Sequence, residues 1–369
     1  IPDAFQKAGY LTKGGRKLYH AYTFNDRALT GIFDPEPWDE FFPSKSRQMP
    51  PEVRPDNWPV HSIRKFYGGN FDWAPMAIED DSMADGQVVK WAEGELAREH
   101  DKPLFLAVGL YRPHVPWWTP RKYFDLHPLD EITLPEVRPD DLADVPEAGV
   151  AFARRPWQEW IIENDQWRRA VQGYLASVSF ADAMVGRLLA ALEKGPHAGN
   201  TIIVLWSDHG YHLGHKEHWE KFALWEQATH VPLLFVDDRK DPPEQAWSAG
   251  TACAEAVSLL DIFPTLVELC RLDPVADLDG ESLAPLLVDP AHQTGRAVVT
   301  THGFRNHGVR SERWRYIRYA DGSEELYDHT VDPNEFENLA GREDLAGVRE
   351  KLAKWLPAVD REPTPRKER

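Results

Sequence analysis

TIIVLWSDHGYHLGHKEHWEKFALWEQATHVPLLF, residues 201–235, sets the architecture of this chain. The apolar, β-branched run from Thr201 to Trp206 reads as a buried strand. It stops at Ser207-Asp208-His209-Gly210, so a carboxylate, an imidazole and a glycine stand where the strand emerges. Open α/β sheets carry their chemistry at that edge. The glycine is expected to leave room for the close approach of a ligand. Lys221 follows, and a second strand-like run, Val231 to Val236, closes the segment. Two buried strands then bracket a loop of metal ligands and cations.

Working outward, a long helical pattern from Trp167 to Leu192 precedes this stretch and stops at Lys194-Gly195-Pro196. Before it lie a helical pattern over Gln87–His100 and a continuous apolar strand at 103–110. Helix followed by strand, repeated, implies βαβ units and a mainly parallel sheet. The first twenty residues read as a short helix and a strand, and residues 20–80 as a long packed loop region. A helix spans Ser258–Cys270, interrupted or begun afresh at Pro264. After about residue 290 the pattern becomes β-rich alternation (Val309–Tyr319), an Asp321-Gly322 turn, a return strand at Glu325-Leu326-Tyr327 and a final helix. The division expected is a larger domain over 1–290 and a small α+β subdomain over 291–369.

The composition bounds the function. A chain of 369 residues buries a sizeable core, and its formal net charge of −18 excludes non-specific binding to a phosphate backbone. An anionic substrate must therefore be attracted locally. No run approaches the roughly eighteen apolar residues of a membrane span. Cys253 and Cys270 form no disulfide framework or metal finger and leave the compartment open, with a periplasmic or extracellular location the expectation. Oligomeric state is not legible.

Asp208 and His209 offer one oxygen and one nitrogen to a divalent cation, two donors that cannot close a site alone. His209, His212, His215 and His218 recur every third residue, but Gly210 and Gly214 break any helix that would align them. One or two of these rings are expected to line a pocket. Lys221, between aromatics, suits an oxyanion as a compact point charge. Arg112-Pro113-His114 lies at another strand end, where two prolines fix the backbone of an imidazole suited to proton transfer or oxyanion binding. Trp117 and Trp118 beside it offer faces that could stack on a sugar ring, although packing is the commoner use of a tryptophan.

Together these segments resemble the sulfatase family, most closely its iduronate-2-sulfatase-like branch with bacterial polysaccharide sulfatases. The resemblance runs in order through IPDAFQKAGYLTKGGRKLYH, FDWAPMAIEDDSMADGQVVKWA, PLFLAVGLYRPHVPWWTP, YLASVSFADAMVGRLLAAL, SDHGYHLGHKEHWEKFALWEQATHVPLLF, VSLLDIFPTLVELC and RSERWRYIRYADGSEELYDHTVDPNEFENLA. It implies an α/β, alkaline-phosphatase-like sandwich with a mainly parallel central sheet and a small C-terminal antiparallel sheet and helix. It implies further that Lys17 and His20 hold and activate a nucleophile, that His114 contacts sulfate or protonates the leaving oxygen, and that Lys221 binds sulfate oxygens. Arg112, Tyr211 and His212 would face the substrate, and Asp208 and His209 would belong to a calcium (Ca2+) site whose other ligands are expected upstream of Ile1.

The activity implied is release of sulfate from a sulfated saccharide. One departure stands out: the family's nucleophile is a formylglycine made from the Cys of Cys-x-Pro-x-Arg, and that motif does not occur in this sequence. The expectation drawn from it is an N-terminally truncated sulfatase, inactive as it stands. The alternatives are a phosphoesterase of the same superfamily and a non-catalytic anion-binding fragment.

Overall fold

The structure, a computed structural model, describes residues 1–19, 21–23, 30–31, 34–49, 53–240 and 246–362. Helix α1 (Pro2–Lys7) carries proline in its first turn, where a missing N–H is harmless, and leads to strand β1 (Leu11–Arg16). β1 pairs in parallel with β2 (Glu40–Phe42). Helix α2 (Ala84–Leu96) then runs into β3 (Leu104–Gly109), parallel to β1 on its other edge. The long helix α3 (Trp167–Lys194) crosses to β4 (Ile202–Trp206), which pairs with β5 (Leu233–Asp237). That last pair is antiparallel, unlike the rest of the expected sheet, because no crossover helix carries residues 207–232 to the far end of the sheet.

Helix α4 (Ile262–Leu269) covers one face, packing with Phe5, Phe105, Val204, Leu233 and Phe235. α2 and α3 line the other side, with Val88, Trp91, Phe180 and Met184 buried there. Pro264 is the third residue of α4, so it begins the helix and does not interrupt it. By length and composition α3 could cross a membrane. Here it packs on α2 and inserts Ala170, Val171, Phe180 and Met184 into the interior.

Within residues 20–80, the described part is less irregular than the sequence suggests. Trp73–Met76 pairs in parallel with Trp117–Pro120, and the two segments anchor an aromatic core of Phe66, Phe71, Trp73, Trp117 and Trp219. Trp117 is buried in that packing and Trp118 against Ala74 and Met76, so both serve the packing that is the commoner use of a tryptophan and neither offers its face to a sugar. The pairing was hidden because each segment is only four residues long and contains a proline.

The C-terminal part is a four-stranded antiparallel sheet in sequential order: β6 (Val298–Thr301), β7 (His307–Arg310), β8 (Trp314–Arg318) and β9 (Glu324–Asp328). Helix α5 (Ala346–Ala353) packs Leu352 against Val309, Tyr316 and Leu326. The alternation from Val309 to Tyr319 is thus two strands rather than one, divided at Ser311–Arg313.

Candidate active site

Lys17 begins the turn after β1, and its N–H donates to the carbonyl of Gly109 at the end of β3, at 3.2 Å. A side chain at Gly109 would collide with the Lys17 backbone, so glycine there allows the two strand ends to meet. Beyond β3, the buried Asp85 carboxylate accepts from the N–H groups of Tyr111 and Arg112, both at 2.9 Å, and from Arg16 Nε at 2.6 Å. One carboxylate of α2 therefore fixes the turn that presents His114. Asp208 and His209 follow β4 directly. Gly210 is required for a reason other than ligand access: a Cβ there would strike the carbonyl of Gln227, and the Gly210 N–H donates to Ala228 at 2.8 Å.

The centre of the site is Lys221. Its ammonium lies 3.2 Å from His114 Nε2 and 2.9 Å from His209 Nε2. Each ring also faces a carbonyl with its Nδ1, His114 that of Val115 at 2.7 Å and His209 that of Gly210 at 2.8 Å. Those carbonyls place the imidazole protons on Nδ1, leaving both Nε2 atoms to accept from the lysine. Burial and the Lys221 charge hold His114 down at about 3, and the same two causes lower His209. Burial also lowers Lys221, against the pull of Asp208. The cluster is thus an ammonium held by two neutral rings, with its third N–H uncommitted to them.

Asp208 is exposed, and its Oδ1 lies 3.7 Å from His209 Nε2. Two donors at that spacing fit adjacent positions around a cation with ligand distances of about 2.3–2.6 Å, provided the lone pair of His209 Nε2 is released by the Lys221 ammonium that it now accepts from. Tyr211 lies with its ring edge against Trp117 and roughly parallel to Tyr174, and its buried hydroxyl has no hydrogen-bond partner among the described residues. Arg112 is buried with its guanidinium turned to the Trp118 carbonyl, Nη2 at 3.2 Å. Lys17, Arg112, His114, Asp208, His209 and Tyr211 all line one groove. His20 lies outside the described residues.

His212 corrects the sequence expectation. It is buried, its Nδ1 faces the His215 carbonyl at 3.2 Å, and its ring meets His218 and Trp225 edge-on. Successive residues of an extended segment point to opposite faces, so Tyr211 toward the groove sends His212 into the core. His215 and His218 join it there, and the four histidines of the repeat do not converge.

These buried rings make stability pH-dependent. Burial lowers His114 and His218 to about 3 and His215 to about 4, and lowers His212 well below its ordinary 6.5. The unfolded chain protonates all four below about pH 6.5 while the folded chain does not. Their contribution is complete above that pH and is lost as pH falls toward 4 and then 3. Unfolding at pH 5 should take up roughly four protons at these rings, steepening the loss of stability by up to about 1.4 kcal/mol per pH unit for each. Calorimetric unfolding in buffers of different ionisation enthalpy measures the uptake. An uptake near zero would show the rings to be charged or exposed.

Sequence reasoning missed the ties that hold the Lys221 loop. Glu226, five residues on, is bonded to Arg315 of β8 and to Arg310 of β7, with Arg310 Nε at 3.1 Å. Arg315 Nε also lies 2.6 Å from Glu335 Oε1, and its Nη1 donates to the Leu224 carbonyl at 2.8 Å. Burial raises the Glu226 carboxyl, but Arg315 and Arg310 overcome it and hold the group at about 2. Trp225 Nε1 donates to the buried Glu325 at 2.9 Å, and buried Lys216 pairs with Asp141 at 2.8 Å. Glu226, His329 and Glu335 are close enough to share a metal. Two guanidiniums already neutralise the two carboxylates, however, so the cluster reads as a lock between the loop and the C-terminal sheet.

Comparison with known proteins is consistent with this geometry. The sulfatase family profile matches residues 1–272, and that of the N-sulphoglucosamine sulphohydrolase C-terminal region matches residues 214–362. A sulfatase of Formosa agariphila is 38% identical over 98% of this chain and 69% of its own length. Human iduronate 2-sulfatase is 29% identical over 74% of this chain, which spans about half (54%) of that relative. Among solved structures, phosphonate monoester hydrolase SpPMH from Silicibacter pomeroyi superposes with a TM-score of 0.74 at 20% identity, over 96% of this chain and 78% of its own, a likeness of fold. A protein solved with its substrate D-glucosamine-2-N,6-O-disulfate gives a TM-score of 0.64 at 20% identity, over 96% and 80% of the two chains. With a profile match over most of its length and a relative of this identity and coverage, the chain belongs to the sulfatase family.

Proposed function

We propose that the groove at the ends of β1, β3 and β4 binds the sulfate group of a sulfated saccharide and serves its hydrolysis. The observation that carries this reading is Lys221 held between His114 and His209 beside Lys17: a local cationic pocket in a chain of net charge −18. Relatives named iduronate 2-sulfatase and ulvan-active sulfatase support a sulfate ester as the substrate class.

In this reading the ammonium of Lys221 and that of Lys17 take up charge on the sulfate oxygens, a service typically worth about 2.7–4 kcal/mol for one well-placed donor. His114 acts on the leaving oxygen through Lys221. Its Nδ1 proton is committed to Val115, and burial and the Lys221 charge keep the ring neutral, so its part there is to hold the Lys221 ammonium at 3.2 Å, whose remaining N–H is the group that can donate. Tyr211 packs on Trp117 and Tyr174 with its hydroxyl buried, so its part is to support the wall of the groove that the saccharide meets.

Sulfatases generally bind a divalent metal, and Asp208 and His209 are the residues of this chain that would hold it, with Ca2+ the ion proposed. When bound, it would neutralise charge on the sulfate and polarise the S–O bonds. Asp208→Asn should weaken Ca2+ binding on the order of tenfold by removing a ligand charge. Titration followed by calorimetry measures this, and an unchanged affinity would move the ion elsewhere.

The function is tested with the protein at its full natural length, assayed for inorganic sulfate released from sulfated disaccharides and for phosphonate released from a phosphonate monoester. Sulfate release is the expected result. Turnover of the phosphonate ester alone would overturn the reading in favour of a phosphoesterase.

A further inference from the structure

Beside Lys221 stands a second basic side chain that the proposed sulfate pocket does not use. Arg154 precedes the helix Arg155–Glu163, and its backbone N–H donates to His218 Nδ1 at 3.1 Å, which ties it to the Lys221 loop. Its guanidinium carbon lies 5.7 Å from the centre of the Phe222 ring, and the Lys221 ammonium lies 5.6 Å from the same centre. Phe222 is 40% exposed, so the two cations share one aromatic side chain at the surface. His302, in the turn after β6, completes the group: its ring centre is 5.9 Å from that of Phe222 and 4.9 Å from that of Phe152.

Most of the hydrogen-bonding capacity of this group is unspent. Arg154 meets Glu220 Oε2 with Nη2 at 3.2 Å, and among the described residues its Nε and Nη1 have no hydrogen-bond or ion-pair partner. The ring nitrogens of His302 have none either. Glu220 cannot balance both of its neighbours. Burial raises its carboxyl, the charges of Arg154 and Lys221 oppose that, and the three together are left with one positive charge in excess. The Arg154 side chain is 38% exposed, which leaves its fork open to a ligand. A guanidinium offers five donors in a fixed plane matched to carboxylate and phosphate oxygens, and sulfate presents the same tetrahedral face as phosphate. In a chain of net charge −18, such an excess beside the groove singles out an anion.

We propose that Arg154 and His302 form a second subsite, which takes a further anionic group, a carboxylate or a second sulfate, on the sugar next to the one whose sulfate Lys221 holds. Phe222 stands between the two anions and gives the sugar an apolar surface. The inference rests on the reading of the groove as a sulfate site and adds to it the second charge of the substrate. A saccharide that is neutral at this place would desolvate the guanidinium without pairing it, so the subsite also selects against such a ligand.

The test is calorimetric binding of three disaccharides to the 369-residue chain, alike in one sulfated sugar and bearing a sulfate, a carboxylate or a hydroxyl on its neighbour. The charged neighbours should bind about tenfold or more tighter than the hydroxyl, and a gain confined to one of them identifies which anion the subsite takes. Arg154→Met combined with Glu220→Gln removes the guanidinium without stranding the buried carboxylate, and should bring that ratio close to one. Glu220→Gln alone, which frees the whole fork, should keep the preference. His302→Phe, which keeps a ring against Phe152, should lower the ratio by about twofold or more, the loss of one hydrogen bond. A parent protein with no preference for the second charge would overturn the proposal. So would a preference that survives the double variant, or one lost with Glu220→Gln alone, since Arg154 would then serve only as a partner for Glu220. The two failures are distinguishable: if the groove is not a sulfate site none of the three saccharides binds, whereas if only the subsite is wrong all three bind alike.

Discussion

Lys221→Met should weaken binding of a sulfated disaccharide by roughly 10- to 100-fold, the loss expected when a charge-assisted hydrogen bond worth about 1.5–3 kcal/mol is removed. The expectation rests on the position of the ammonium, which donates to two imidazoles and keeps one N–H for an anion. A second readout separates binding from folding. The lysine charge is the second cause, after burial, of the lowered His114 and His209 values, so both rings should titrate at higher pH in the variant. Histidine NMR of the labelled protein follows the two resonances directly. If affinity fell while both rings titrated as before, Lys221 would be acting at a distance and the cluster would not be the anion site.

Arg315→Met should destabilise the fold by about 3–5 kcal/mol, because it leaves the buried carboxylates of Glu335 and Glu226 without their shared guanidinium. At roughly 2–4 °C per kcal/mol for domains of 150–250 residues, and less for a longer chain, the melting temperature should fall by roughly 5–10 °C. Arg310 retains Glu226 in part, at 3.1 Å, so the greater loss falls on Glu335. The double variant Arg315→Met with Glu335→Gln should therefore recover part of the stability, since it removes the unpaired charge as well. A single variant that melted within about 2 °C of the parent would show the network to be solvated and the lock unnecessary. The change should also reach the site: Leu224 and Glu226, which Arg315 holds, lie three and five residues from Lys221.

The candidate site was legible in part. Asp208, His209, Lys221, His114 and Lys17 could be picked out because each stands at or near the end of an apolar run; the structure brings Lys17, His114, Asp208 and His209 to one groove, with Lys221 bonded to both rings. Their mutual arrangement could not. No sequence rule says that one ammonium bridges two rings 107 and 12 residues away. His212 misled because four histidines at equal spacing look equivalent, while an extended backbone sends alternate side chains to opposite sides. Gly210 misled in the same way: its missing side chain makes room for Gln227 of the same chain.

What the sequence by itself determined is the local level: the apolar runs of β3 and β4, the long amphipathic α3 between them, and the polar residues that stop each strand. Periodicity and breakers are short-range properties, and the chain writes them residue by residue. Only the tertiary structure decided which strand ends meet, that β5 returns antiparallel, and that the C-terminal sheet grips the Lys221 loop through Arg315. Those are long-range pairings, set by which buried charges and backbone edges find partners in three dimensions, and that selection depends on the whole chain at once.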